Sequence, residues 1–212
     1  MNESRSQENA LTKVIKIGLV FWIKKQCKEI SQVWIDLKGL KLGIRNSILS
    51  KVYLNASSIN FKDIKINELT LEATNLSFSL NIKRPIKNSI TINKEFKIKA
   101  NIKLNGSQII STLKSKNWLW LNEWFESNLL NGKEISEIKI NNEKFIISAS
   151  ERTQSKQEVK RYHIETIGGN LYFKDIESSL KYIFPIEESI YINNASINKD
   201  LISINLTSNV IS

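Results

Sequence analysis

The run SILSKVYLNASSINFKDIKINELTLEATNLSFSL, residues 47–80, constrains this chain more than any other stretch. Val52, Leu54 and Ala56 alternate with Tyr53 and Asn55. Leu69, Leu71 and Ala73 alternate with Thr70 and Glu72, and Leu76, Phe78 and Leu80 with Ser77 and Ser79. Alternation on every second position builds a sheet with one apolar face and one wet face. From Ala73 to Leu76 the inward spacing is three, so a bulge, a turn or a change of strand is expected near Thr74–Asn75. The pattern predicts strand, turn, strand, turn, strand.

Further strands follow the same rule. Phe96, Ile98, Ala100, Ile102 and Leu104 alternate with Lys97, Lys99, Asn101 and Lys103, which makes one face apolar and the other cationic. Those lysines are suited to blunting edge pairing. Ile90 and Ile92 read as a short edge segment after a strand that Arg84–Pro85 ends. Residues 135–140 and 145–150 form a hairpin around Asn141–Asn142. The charged segment 151–160 is predicted as its solvated tip, with 162–167 pairing back to a Gly168–Gly169–Asn170 turn. Residues 176–183 are expected to form a small helix. Ile190, Ile192, Ile197, Ile202, Ile204 and Leu206 place two last strands around a turn at 198–200. Residues 31–46 fit a strand broken at Gly39 or a helix-to-strand transition.

Two segments have helical spacing. Over residues 10–30, Leu11, Val14, Ile15, Gly18, Leu19, Trp22 and Ile23 share a stripe, flanked or opposed by Lys13, Lys16, Lys24, Lys25 and Lys28. Its uninterrupted apolar core, residues 17–23, is far shorter than the roughly 20 residues that span a bilayer. Lys16 interrupts it and no small-residue cleavage site follows, so it is also a poor signal peptide. It reads as a basic amphipathic helix, packed on the sheet or also touching a membrane interface. The second helix is expected over residues 108–130, with Ser107 as N-cap and Gly132 as stop, about 33 Å long at 1.5 Å per residue. Trp118, Trp120 and Trp124 fall within seven residues of it. They fill a thick helix–sheet core, or part of the band lines a ligand groove or lipid interface.

Composition bears on partners. The formal net charge of +10 favours an anionic partner: a membrane surface, nucleic acid or an acidic protein. The tryptophans sit in apolar helical runs and are not interleaved with basic residues on an exposed strand, so a nucleic-acid platform is not expected. The one cysteine, Cys27, excludes an intramolecular disulfide. The one histidine, His163, lies in a predicted strand without an adjacent nucleophile or orienting carboxylate. No nucleophile elbow, Walker loop, zincin motif or dinucleotide fingerprint occurs. No catalytic residue, cofactor or metal is therefore expected.

Residues 48–80, together with FPIEESIYINNASINKDLISINLTSNV at residues 184–210, resemble the DUF2993 family of LmeA-like phospholipid-binding proteins. The second segment is similar to that family's closing unit of proline, acidic residue, strand, turn and strand. The chain departs from the family at Asn46–Ser47, where relatives carry a glycine, and in lacking a recognisable secretion signal. The resemblance implies a TULIP-like α+β fold: a curled antiparallel β-sheet wrapped on a long α-helix, here with an N-terminal amphipathic helix. Residues 1–9 would be a disordered tail and residues 10–212 one lipid-binding domain. It further implies a non-enzymatic protein that holds phospholipid acyl chains in an apolar groove, peripheral to a membrane; the alternative is a membrane-docking or structural scaffold without lipid cargo. With no convincing signal peptide or transmembrane span, the cytoplasmic side of the membrane is the expected location. The residues expected to line the groove are Trp118, Trp120, Leu121, Trp124, Phe125, Phe78, Phe96 and Ile98. Those expected to meet anionic headgroups or the membrane surface are Lys13, Lys16, Lys24, Lys25, Lys97, Lys99 and Lys103.

Overall fold

A computed structural model describes residues 10–43, 46–80, 90–92, 95–151 and 154–210. The expected tail at residues 1–9 and the strand end at Arg84–Pro85 lie outside them. The helix α1 (Ala10–Gln26) leads into β1 (Cys27–Lys41), β2 (Ser47–Phe61), β3 (Ile64–Leu80), β4 (Ile90–Ile92) and β5 (Phe96–Asn105). Two helices follow, α2 (Gly106–Leu113) and α3 (Leu119–Leu129), with a 3-10 turn at Lys116–Trp118 between them. The remainder is β6 (Glu134–Asn141), β7 (Lys144–Glu151), β8 (Gln154–Ile167), β9 (Asn170–Asp175), β10 (Lys181–Ile183), β11 (Ile190–Asn198) and β12 (Leu201–Val210).

These strands form two antiparallel sheets, not one. The first runs β1-β2-β3-β5-β12-β11, with β4 on β3; the second runs β10-β9-β8-β7-β6. The expected architecture, a curled sheet wrapped on one long helix, is thereby corrected. Neither sheet curls closed, and the 108–130 segment is two helices. The break has a local cause. Thr112 and Ser115 turn their hydroxyls onto the carbonyls of Gln108 and Thr112, at 2.9 and 2.7 Å, and such bonds compete with the helical ladder. Ser115 then takes an extended conformation and the chain restarts at Lys116. The N-cap of α2 is Asn105, not Ser107: its side chain accepts from the Gln108 N–H while the Gln108 side chain accepts from the Asn105 N–H, a capping box.

Other expectations need smaller corrections. β5 is interior, between β3 and β12, so its lysines guard no edge. The 151–160 segment is mostly strand β8. Residues 176–183 are a turn leading into β10, not a helix, because the Asp175 carboxylate accepts from the N–H groups of Glu177 and Ser178, at 2.7 and 2.8 Å, and closes the chain there.

The parity slip at Thr74–Asn75 occurs inside a continuous β3 whose register with β2 holds through it. Asn75 adopts a left-handed conformation, φ +58°, and lies opposite Ser50; Gly39, φ +66°, lies on the other side of Ser50. The inward positions change parity together: Leu49 to Val52 in β2 and Ala73 to Leu76 in β3. A slip in one strand alone would turn its apolar residues to water. Made on neighbouring strands along one line, it leaves the apolar face intact.

Each sheet has its own core. Ile15 and Leu19 of α1 pack with Ile35, Leu49, Val52, Leu54, Leu76 and Phe78 on the first sheet. Leu113, Leu121, Phe125 and Leu129 pack with Ile138, Phe145, Ile147, Tyr162 and Phe173 on the second, joined by Ile202 of β12. Phe125 and Phe173 join the rings of this second core; the Phe125 centroid lies 5.3 Å from Trp124, 5.5 Å from Phe173 and 6.2 Å from Phe145 and Phe184. Tyr162 is buried edge-on to Phe173 and donates its hydroxyl to the Leu129 carbonyl at 2.5 Å, tying β8 to the end of α3.

Two outcomes follow from this packing. Phe125→Ala should lose about 3–5 kcal/mol of unfolding free energy in urea titration, the cost of an aromatic cavity in a packed core. Burial pushes the Asp175 carboxyl up, but the Ser178 and Glu177 backbone N–H groups outweigh it and hold the acid below its ordinary value. A depressed folded pKa contributes stability that is present above the unfolded value and lost as pH falls through the folded one. Stability measured between neutral and strongly acidic pH should therefore fall less for Asp175→Asn than for the parent chain.

Candidate basic and aromatic surface at the β2–β3 hairpin

The turn between β2 and β3 is two residues long, Lys62 and Asp63, both left-handed at φ +48° and +70°. Paired left-handed residues match the twist of a tight hairpin, and Asp tolerates that geometry. The turn is an anchoring point for the helical segment. The Trp118 indole N–H donates to the Lys62 carbonyl at 2.9 Å. The Asn117 amide donates to Asp63 Oδ2 at 2.7 Å, and Lys28 Nζ donates to Asp63 Oδ1 at 2.5 Å. Just behind it, the Lys65 N–H donates to Thr112 Oγ1 at 2.9 Å. The hydroxyl that helps end α2 thus also fastens it to β3.

These bonds bring together residues far apart in the chain. Phe61 pairs with Cys27, the residue directly after α1, so the lysines at the C-terminal end of that helix, Lys24 and Lys25, lie close to the hairpin. The Lys62 ammonium sits 5.5 Å from the centre of the Phe61 ring. On the helical side, Lys114 and Lys116 are exposed, as are Leu119 at 48% and Trp120 at 50%. The Trp120 ring rests 5.8 Å from that of Trp118. Two large apolar side chains therefore stand in water beside a half-buried tryptophan that is bonded to the turn.

The three tryptophans have different surroundings. Trp124 packs edge-on to Phe125 and Phe184 in the second core, Trp118 is held to the turn, and Trp120 faces outward. Leu121 and Phe125 belong to the second core, whereas Phe78, Phe96 and Ile98 belong to the first. The apolar candidates are thus divided between two interiors. Lys97, Lys99 and Lys103 lie on β5 away from its apolar side, and Lys103 pairs with Glu68 at 2.7 Å. Lys13 is exposed on α1, where Val14 and Ile17 also stand in water at 41% and 57%; Lys16 is half-buried.

Two open clefts are described. One, of about 730 Å³, lies between the start of α2, β6 and the β11–β12 turn, beside Ser107, Lys139, Asn141, Lys199 and Asp200. The other, of about 460 Å³, lies over β3, β5 and β12. Polar side chains line much of both, and neither meets a tryptophan. Among the described residues no helix is long and apolar enough to cross a membrane, and no three histidine, cysteine, aspartate or glutamate side chains cluster to hold a metal ion. His163 is exposed on β8.

The hairpin was absent from the expected site residues. Its sequence signal is Lys62–Asp63 between two alternating runs, which predicts a turn but not what docks on it. Replacing Asp63 with Ala removes acceptors for Lys28 and Asn117. Amide exchange should then accelerate in residues 62–65 and 114–118, with a global cost of about 1 kcal/mol.

No protein-family model, no curated protein and no solved structure matches this chain.

Proposed function

We propose that the protein docks on anionic membrane surfaces through the β2–β3 hairpin and the adjoining 3-10 turn. The observation that carries this reading is the exposure of Leu119 and Trp120 on a segment that carries the exposed Lys114 and Lys116 and is bonded through Trp118 to the Lys62–Asp63 turn. In water these side chains gain nothing from their exposure. At a bilayer interface, an indole and a leucine enter the boundary between headgroups and acyl chains while ammonium groups stay at the headgroups. Lys24, Lys25, Lys28, Lys62, Lys114 and Lys116 supply that charge from three separate chain segments. Asp63 gives its carboxylate to Lys28 and Asn117 and so holds the patch together, and Glu29, opposite Asn60, lies 4.0 Å from the Lys65 ammonium.

The chain's excess of positive charge supports the same partner. Docking is favoured over acyl-chain carriage because the described clefts are open to solvent and lie away from the tryptophans. The exposed Val14 and Ile17 of α1 add a second apolar contact that the same membrane could take up.

Vesicle sedimentation tests the reading. The protein should bind vesicles containing 30% phosphatidylserine, by the ~1 kcal/mol that each lysine contributes near an anionic surface, and should be released by salt. Pure phosphatidylcholine vesicles should bind it weakly. Trp120→Ala should reduce partitioning by about tenfold through lost apolar burial, and Lys62→Gln or Lys116→Gln by about fivefold each. Equal binding to both vesicle types, or binding unchanged in Trp120→Ala, would sink the proposal. Salt-sensitive binding to RNA without vesicle binding would replace it with a nucleic-acid role.

A further inference from the structure

The solvent face of the first sheet carries a second organised surface, distinct from the hairpin. Antiparallel register aligns Tyr53, Glu72, Lys99 and Thr207 in one transverse row across β2, β3, β5 and β12. Thr70, Asn101 and Asn205 form the neighbouring row. Both rows border the 460 Å³ cleft, and Asn193 of β11 closes one side.

Asn193 stands at a β-bulge. Ile192 pairs with Leu206 and Asn194 with Asn205, so Asn193 is the extra residue between them. The bulge leaves two successive residues, Asn193 and Asn194, exposed, and such irregularities concentrate beside binding sites. Asn193 is exposed on the cleft and has no hydrogen-bond partner among the described residues.

The rest of the lining is held in place. Asn101 donates its amide to Ser203 Oγ at 2.9 Å and to Asn205 Oδ1 at 2.7 Å. These bonds orient both side chains and leave the Asn205 amide hydrogens and the Asn101 carbonyl oxygen for a ligand. Glu72 is bound by Lys51 at 2.9 Å, and the Lys51 and Lys38 ammonium groups flank the Tyr53 ring at 5.8 and 5.2 Å. Lys99 differs from its neighbours: it lines the cleft without an ion-pair partner among the described residues.

We infer that this cleft binds a short saccharide and that Lys99 selects a sugar bearing a carboxylate. Amides and hydroxyls dominate the side chains around it, and they match a ligand dense in hydroxyl groups that must replace its bonds to water. Prior orientation of Asn101 and Asn205 lowers the cost of ordering them on binding. One unpaired ammonium is too little for a nucleic-acid backbone, whose affinity comes from neutralising many phosphates. The cleft also exposes apolar surface, the Tyr53 ring included, which suits the carbon face of a sugar ring.

Isothermal titration and saturation-transfer NMR with a hyaluronan tetrasaccharide (acidic) and chitotriose (neutral) test the assignment on the full chain. The acidic sugar should bind more tightly. Lys99→Gln should weaken it by about tenfold, as expected for loss of a charge-assisted bond, and leave chitotriose within about twofold. Asn193→Ala should weaken both sugars; its side chain makes no described bond, so the fold should be kept, as circular dichroism would verify. Vesicle binding should be unaffected by either substitution. Absence of binding by both sugars, preference for the neutral one, or parent-like binding in both variants would overturn the inference.

Discussion

Two sheets, each with an apolar face that must be withdrawn from water, impose the governing constraint on this molecule. Three short helices provide the cover. Ile15 and Leu19 of α1 seat on the first sheet, while Leu113 of α2 and Leu121, Phe125 and Leu129 of α3 seat on the second. Apolar burial at roughly 25 cal/mol per Å² supplies most of the driving force for this arrangement. Specific polar bonds then decide where each cover ends: the Asn105 capping box starts α2, the Thr112 and Ser115 hydroxyls stop it, and Tyr162 ties the end of α3 to β8.

The same bonds that shape the helices create the candidate docking surface. A continuous helix over residues 108–130 would place Trp118 and Trp120 by helical geometry alone. The break at Ser115 lets Asn117 and Trp118 bond to the β2–β3 turn, and Trp120 and Leu119 are left outside. Asp63 is central because it joins β1 and the 3-10 turn through one carboxylate. The exposed apolar side chains therefore stand on a braced support, which suits a surface that must meet a membrane without unfolding.

The sheet-face cleft shows how a small irregularity acts on a regular lattice. Antiparallel pairing sets Asn101, Asn205 and Thr70 side by side, and a bulge leaves the successive residues Asn193 and Asn194 both exposed, with Asn193 adding a further amide to the cleft. The hairpin patch and the cleft place different chemistry on one molecule: apolar side chains with lysines on the first, amides and hydroxyls with a single free ammonium on the second. The resemblance to a phospholipid-binding family rested on apolar alternation, a pattern shared by many sheets, and the single curled sheet on a long helix that it implied is not the architecture found.

Most strands were legible in the sequence, because alternation is a local consequence of pleating: β2, β3, β5, β6, β7, β11 and β12 follow their apolar positions. The N-terminal helix was legible as far as Gln26, although residues 27–30, expected within it, already belong to β1, and Gly132 was legible as a stop after the second helical segment. The division into two sheets was not, since strands of either sheet carry the same period and only long-range pairing separates them. Nor could spacing reveal that Phe78 and Phe125 lie in different cores, or that Trp120 faces water while Trp124 is packed. By itself the sequence determined most of the extended segments, those with clear apolar alternation, together with their apolar faces and the sign of the field. The tertiary structure alone decided what docks on the Lys62–Asp63 turn, because the turn, the end of α1 and the broken helix become neighbours only through bonds between residues distant in the chain.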